Sequence, residues 1–426
     1  MKINIFWFRR DLRLNDNAGL SHALKAGLPV LPVFIFDDEI LAELDKDDPR
    51  VQFIHESLSS INDLLKEHNS SLLILKGKPL ELWENLADAY DIHAVFTNKD
   101  YEPYAISRDQ QVNELLSAKQ IEFHTFKDQV IFEENEVLKP DGTPYTVFTP
   151  YKNKWHQNLV EIITYKMELS HFMEGEHDFP TLTDIGFEPS PIKVPAFNLD
   201  VATAYAETRD FPSLDGTSHL STHLRFGTVS VREILQQLDF NKHIVFVNEL
   251  VWREFFMQVL FHFPFVVQNN FRSKYDGIQW RNNEEEFEKW CNGQTGYPIV
   301  DAGMRELNET GIMHNRVRMV TASFLCKHLL INWQWGEAYF AKKLLDYDLS
   351  ANNGNWQWAA GTGCDAAPYF RVFNPYEQTK KFDAELKYIK KWVPELETFD
   401  YPAPMVDHKI ARQRALDTYK EGINAQ

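Results

Sequence analysis

Four short stretches of this 426-residue chain place polar, charged and aromatic side chains at intervals that bring them onto common surfaces. In DGTSHLS (215–221), Gly216 allows a tight turn, and Thr217, Ser218 and Ser221 offer hydroxyls beside a helix start whose unpaired N–H groups favour phosphate. An ordinary N-cap would use the same residues. In NELVWREFF (248–256), Glu249, Trp252 and Arg253 stand at i, i+3 and i+4 and share one helical face. That is an odd set to bury, although a salt-bridged helix with an interior Trp would also contain it. MHNRVRM (313–319) joins an amide, a cation and a soft apolar side chain through Asn315, Arg318 and Met319 at the same spacing. DYDLSANNGNWQW (346–358) carries Asp346 and Asp348, two adjacent Asn, a Gly, and Trp356 and Trp358. A plain helix would not contain ANNGN without cost, whereas Asp there can accept ribose or adenine hydrogen bonds and Asn can face a polar heterocycle edge.

Two kinds of scaffold must position these stretches. The first 130 residues alternate strand-like runs at 3–8, 30–36, 72–76 and 93–97 with helical periods at 16–26, 51–68, 79–90 and 104–117. This alternation predicts an α/β domain with a doubly wound parallel sheet, and without GxGxxG it lacks the dinucleotide fingerprint. Residues 131–200 have weak periodicity and many turn residues and prolines, which reads as an interdomain linker. From 201 to 426 the period is 3.6 and strand-like alternation is missing, so this part is expected to be an all-α domain holding the candidate residues. The run EEEFE (284–288) reads as a solvated face.

Composition narrows the function classes. A net charge of −18 disfavours a general nucleic-acid or anionic-membrane binder, but −15 of it falls in residues 1–200, leaving the helical part near neutral and open to a local basic surface. Eight of the 11 Trp follow residue 200, more than a helical core needs, and stacking on a flat ligand would use the surplus. Three widely spaced Cys suit a reducing compartment, and with no paired His spacing no metal is expected. Charges close to Met1 leave no signal-peptide core and no run approaches 18 apolar residues, so a soluble, cytoplasmic protein is expected.

In order along the chain, FWFRRDLRLNDN (6–17), DGTSHLS, NELVWREF, TGYPIVDAGMREL (295–307), MHNRVRM and DYDLSANNGNWQWAAGTGCDAAPYFRVFNP (346–375) resemble the photolyase/cryptochrome family over essentially the whole chain. The last two motifs are the most specific. The resemblance is closest to class I cyclobutane pyrimidine dimer DNA photolyases, and it implies an α/β domain joined by a long linker to a helical domain that binds FAD. By that resemblance Tyr205, Thr217, Ser218, Leu220 and Ser221 hold the phosphate and ribitol side. Arg318 and Asp346 pair near the isoalloxazine, Asp348 lies at its polar edge and Asn352 faces N5. Glu249, Arg253 and Asn315 belong to the same cofactor surroundings.

The family's dimer-repair branch carries a Glu, a Trp three residues on, an Asn with a Met four residues on, and a second Trp. Here these are Glu249, Trp252, Asn315, Met319 and Trp358. The resemblance implies light-driven repair: a dimer flipped from DNA is walled by Trp252 and Trp358, and excited reduced FAD lends it an electron. Trp356, Trp333 and Trp280 match the electron-relay triad, with Trp335 and Trp290 as nearby alternatives. Arg209, Arg316 and Lys381 match positions that bind DNA phosphates. The (6-4) branch uses a His pair where this chain has His314-Asn315, DASH members carry Tyr at the second wall, and cryptochromes replace Asn352. A cryptochrome-like blue-light photoreceptor is the alternative function. The expected partner is DNA containing pyrimidine dimers, and the expected state is a monomer. Folate-binding relatives carry Asn-Glu where YEPYAISRD (101–109) has Tyr104 and Ala105, so folate is not expected and any second antenna chromophore is left open.

Overall fold

The computed structural model describes residues 1–424. Strands β1 (Ile3–Phe8), β2 (Val30–Asp37), β3 (Leu73–Gly77), β4 (Ile92–Asn98) and β5 (Glu122–Phe126) form one parallel sheet in the order β3-β2-β1-β4-β5. Helices α1 (Ala18–Lys25), α2 (Pro49–Lys66), α3 (Pro79–Ala89) and α4 (Pro103–Ala118) make the crossovers. Three of them start on a proline, whose missing N–H costs nothing at a first turn. β1 and β2 are buried along their whole length, which is why they read as continuous apolar runs. Alternate residues feed two cores: Ile3, Ile5 and Trp7 on one face of the sheet, Phe6 and Phe8 on the other. β5 was absent from the sequence reading. It is a half-exposed edge strand, EFHTF, with no β-branched run to announce it.

The chain then forms α5 (Phe148–Asn158), α6 (Leu220–Phe226), α7 (Val231–Gln236), α8 (Ile244–His262), α9 (Pro298–Thr310), α10 (Asn315–Ser323), α11 (Trp333–Lys343) and α12 (Leu349–Ala360), with other helices between them and a 17-residue helix, His408–Asn424, near the end. No strand follows residue 201 among the described residues. The chain divides into two compact units. The first comprises Met1–Glu136, Gln157–Phe197 and His219–Asp239; the second comprises Val137–His156, Asn198–Ser218 and the chain from Phe240 on. Along the sequence the two units alternate, and two of the exchanges have a visible physical cause.

In the first unit, α7 is held to the α/β domain by a buried ion network. The Arg232 guanidinium donates to Asp16 Oδ2 at 2.8 Å and to Asp128 Oδ1 at 2.8 Å, and Arg13 donates to Asp128 Oδ2 at 2.7 Å. Ser230 caps α7 and its hydroxyl donates to Asp16. Burial pushes the Asp128 carboxyl up, but Arg13 and Arg232 outweigh burial and leave its pKa below the ordinary 3.8. In the second unit, α5 is anchored on α8 by Glu254, which accepts the Trp155 indole N–H at 2.6 Å and the Tyr151 hydroxyl at 3.4 Å.

The second unit is organised around α12, which packs against α8, α10 and α11. Two glycines permit this. A Cβ at Gly336 of α11 would collide with the Trp356 ring, and one at Gly354 of α12 would collide with the Phe256 ring of α8. The buried Lys327 ammonium, in the π-helical turn after α10, donates to the Ala360 carbonyl at 2.7 Å and so closes the α12 C-terminus. Burial pulls its pKa down to about 7. The TGYPIVDAGMREL motif is structural here: Asp301 accepts from Thr295, Gly296 and Tyr401.

Arg232→Ala would leave Asp16 and Asp128 as poorly compensated buried charges, an expected loss of about 3–5 kcal/mol in chemical denaturation at pH 7. Because the Asp128 pKa is depressed, its contribution is present above 3.8 and is lost as pH falls through the lower folded value, so the difference between variant and wild type should shrink there.

Candidate functional site

The candidate residues of α8, α10 and α12 are positioned by helices that meet at α12. Glu249 of α8 accepts from Arg209 Nη1, with the Oε1 oxygen 2.5 Å away. Arg209 follows the short helix Tyr205–Thr208, and its guanidinium lies 5.2 Å from the Tyr205 ring centroid, whose ring in turn meets Phe246 edge-on at 5.1 Å. Burial pushes the Glu249 carboxyl above its ordinary 4.5; Arg209 opposes the shift and Asp210 adds to it.

Asp210 also accepts from Arg316 Nη2 at 2.7 Å, and the Arg316 guanidinium lies over the Phe382 ring at 4.3 Å, with the Lys381 ammonium 5.0 Å from the same ring. The three cations expected at DNA phosphates are thus gathered around Asp210 and Phe382, and two of them are held by carboxylates. Asp210 was not singled out in the sequence, because its role depends on partners at 209, 249 and 316.

His314 caps α10, its Nδ1 accepting the Arg316 backbone N–H at 3.2 Å. Burial and the surrounding arginines lower its pKa to about 4. Asn315 is exposed in the first turn, and its amide donates to the Met319 sulfur at 3.9 Å. Trp252 lies against Phe148 with ring centroids 3.5 Å apart and planes 9° from parallel. Arg253 is half-buried beside it, as is Trp358 on α12, which has no aromatic ring contact among the described residues.

Arg318 donates through Nε to the Met313 carbonyl at 2.7 Å and through Nη2 to Asp346 Oδ2 at 3.0 Å, the ion pair expected from the sequence. Asp348 is the N-cap of α12, with Oδ1 accepting from Ser350 and Ala351. The Asn352 amide donates to Glu337 at its carbonyl, 3.1 Å, and at Oε1, 2.8 Å, which leaves Asn352 Oδ1 without a partner among the described residues. Glu337, raised in pKa by burial, therefore orients Asn352; sequence spacing carried no sign of it. Thr217 and Ser218 close a segment of the second unit, whereas Leu220 and Ser221 open α6 in the first.

Trp356 and Trp333 are buried in one core, and Trp280 packs against it. They are not in ring contact with one another. Trp356 meets Phe340 at 4.9 Å and Trp290 at 6.1 Å, Trp333 donates its N–H to Asn270 at 2.9 Å, and Trp280 meets Tyr419 at 5.8 Å. Among the described residues no group of three or more His, Cys, Asp or Glu could hold a metal, and no helix is long and apolar enough to cross a membrane.

An ion pair, a capped acidic helix start and an oriented amide oxygen form a donor and acceptor set that fits the polar edge of a flavin. Residues 246–400 match the FAD binding domain of DNA photolyase, and residues 4–168 match the family described as DNA photolyase. A deoxyribodipyrimidine photo-lyase of Synechococcus sp. is 36% identical across 98% of this chain and 96% of its own length. The chain belongs to the DNA photolyase family. Among solved photolyases, a bacterial class III enzyme from Agrobacterium tumefaciens superposes with a TM-score of 0.89 at 33% identity, covering 100% of this chain and 98% of that one. An archaeal photolyase from Sulfolobus tokodaii, solved with two FAD molecules, gives 0.80 at 36% identity, covering 99% of this chain and 100% of that one. The photolyase FAD-binding domain thus contains α9, α10, α11 and α12, with Glu249 and Trp252 near its start.

Because Arg209 opposes the burial effect on Glu249, Arg209→Ala should raise the Glu249 pKa further above 4.5. Carboxyl carbon NMR titration of the two proteins checks this; an unchanged or lower midpoint would contradict the pairing.

Proposed function

We propose that this protein is a light-driven deoxyribodipyrimidine photo-lyase that splits cyclobutane pyrimidine dimers in DNA. The observation that carries the reading is the grouping of Glu249 and Trp252 on α8, the Asn315–Met319 pair on α10 and Trp358 on α12, on helices that also carry Asn352 and Arg318, the latter paired with Asp346 in the turn before α12. The names of the relatives support it. Reduced FAD, when bound, supplies the photoexcited electron donor.

The remaining steps belong to the chain's own residues. Trp252 and Trp358 flank a flipped-out dimer, whose poor stacking in the duplex makes extrusion cheaper than for normal bases. Met319 adds a polarizable apolar contact. Glu249 and Asn315 hydrogen-bond the pyrimidine carbonyl and imide edges, and Glu249, whose carboxyl burial pushes towards the protonated form, donates to the carbonyl on which the negative charge arrives. Asn352, oriented by Glu337, presents Oδ1 to the cofactor's N5 edge, and Arg318–Asp346 and Asp348 hold the adjoining polar edge. Tyr205, Thr217, Ser218, Leu220 and Ser221 serve the phosphate and ribitol side. Arg253 completes the cofactor surroundings.

Arg209, Arg316 and Lys381 meet phosphates flanking the lesion, exchanging Glu249 and Asp210 for them in part. Trp356, Trp333 and Trp280 relay electrons that keep the cofactor reduced. A folate antenna is not part of this reading. The Tyr104 hydroxyl donates to Asp37 at 2.7 Å, and the Arg108 guanidinium lies over the Tyr104 ring at 5.7 Å.

Reduced, FAD-loaded protein should remove thymine dimers from an oligonucleotide under blue light and not in the dark; unchanged dimer content under light overturns the proposal. Glu249→Ala should lower the repair yield by about tenfold or more while dimer affinity is nearly kept, separating charge stabilisation from binding. Trp356→Phe should block photoreduction of oxidised protein yet leave repair by chemically reduced protein intact. Photoreduction at the wild-type rate would remove Trp356 from the relay.

A further inference from the structure

The two aromatic walls of the proposed lesion pocket differ in how the protein holds them. Trp358 has no ring partner among the described residues. Trp252 has three ring partners: Phe148 covers one face in near-parallel contact at 3.5 Å, Phe255 meets it edge-on at 5.6 Å, and Phe256 lies at 5.5 Å with its plane tilted by 26°. Phe255 and Phe256 are on the same helix as Trp252, so their contacts follow from helical spacing. Phe148 comes from elsewhere in the chain, at the first position of α5, within the stretch 131–200 expected to be an interdomain linker.

Phe148 is itself fixed from two directions. Behind it, Tyr151, Trp155 and His156 of α5 bond Glu254 and Asn248 of α8. In front, its backbone N–H donates to Asp365 Oδ2 at 3.0 Å. Asp365 lies in the turn that follows α12, the helix carrying Trp358, and it adopts a left-handed backbone conformation with φ 45°. A non-glycine residue held there points to a constraint imposed by its surroundings. The connection therefore runs from Trp252 through the Phe148 ring and backbone to Asp365 and on to the end of the Trp358 helix.

We infer that Phe148 and Asp365 are positioning residues that fix the plane of Trp252 relative to the helix carrying Trp358, and so set the pocket's preference for a pyrimidine dimer over unmodified bases. The inference rests on the lesion-pocket reading given above. Neither residue needs to touch DNA. With one face of Trp252 already covered, the ring has little freedom to tilt, and a dimer meets a wall held in one plane. Preorganisation of this kind acts on discrimination more than on general DNA affinity, which phosphate contacts provide.

The test uses FAD-loaded protein and two oligonucleotides of the same sequence, with and without a thymine dimer, at one salt concentration. Phe148→Ala should lower the ratio of dimer to undamaged affinity by about tenfold, in keeping with the loss of one stacked aromatic contact. Affinity for undamaged DNA and FAD content should be unchanged. Phe148→Tyr should restore the ratio. Asp365→Gly, which removes the carboxylate and keeps the positive φ accessible, should shift the ratio in the same direction by a smaller factor. In a Trp252→Ala background, Phe148→Ala should have no further effect on the ratio, because its action passes through Trp252. A wild-type ratio in Phe148→Ala, or a parallel loss of both affinities with loss of FAD, overturns the inference. Failure of the lesion-pocket reading would show separately, as wild-type protein with no preference for the dimer.

Discussion

A single helix has to lie within contact distance of three others at once, and two missing side chains make that geometry reachable. Glycine at 336 lets the Trp356 ring sit against α11, and glycine at 354 lets the Phe256 ring sit against α12. The same close packing buries polar groups, and these are satisfied locally: Asn353 and Gln357 both donate to the Val266 carbonyl at 3.0 Å. The ANNGN stretch, costly in an isolated helix, is thereby explained residue by residue. Asn352 faces Glu337, Asn353 satisfies a backbone carbonyl, and Gly354 makes room for an aromatic ring. The candidate cofactor and lesion residues of α8, α10 and α12 depend on this arrangement for their spacing.

Electrostatics in the second unit is arranged in pairs. Arg209 with Glu249, Arg316 with Asp210 and Arg318 with Asp346 each join a cation to a carboxylate across separate segments. Such pairs contribute little net stability when they are half exposed, but they fix side chains in place and leave the unit near neutral. An overall charge of −18 therefore says little about whether this surface can receive a polyanion, since most of the excess lies in residues 1–200. Burial pushes the Glu249 carboxyl upward, so it combines a fixed position with a perturbed proton affinity.

Much of this was legible in the chain itself. β1, β2 and β4 announced themselves as apolar runs because parallel central strands are covered on both faces. The shared faces of Glu249 with Trp252, and of Asn315 with Met319, follow from helical spacing, and their roles from the family resemblance. What escaped were features defined by distant partners. β5 lacks an apolar run because it is an edge. α5 looked like linker because its order comes from Glu254, about a hundred residues away. Phe148, Asp210 and Glu337 act on residues already found, and no local pattern marks a residue whose importance is borrowed from another.

The Arg232 network has a consequence for how the chain comes into being. Asp128 is held by Arg13 from the start of the chain, and the second arginine, which reaches both Asp16 and Asp128, lies about a hundred residues beyond Asp128. A ribosome that has delivered the five strands has not yet delivered the charge that balances them. The first unit is complete only once Arg232 has emerged, after the whole of α5 and the segments around it have been synthesised. The nascent sheet therefore spends part of translation without one of the two arginines that hold Asp128, and that arginine belongs, in sequence, to the far side of the linker.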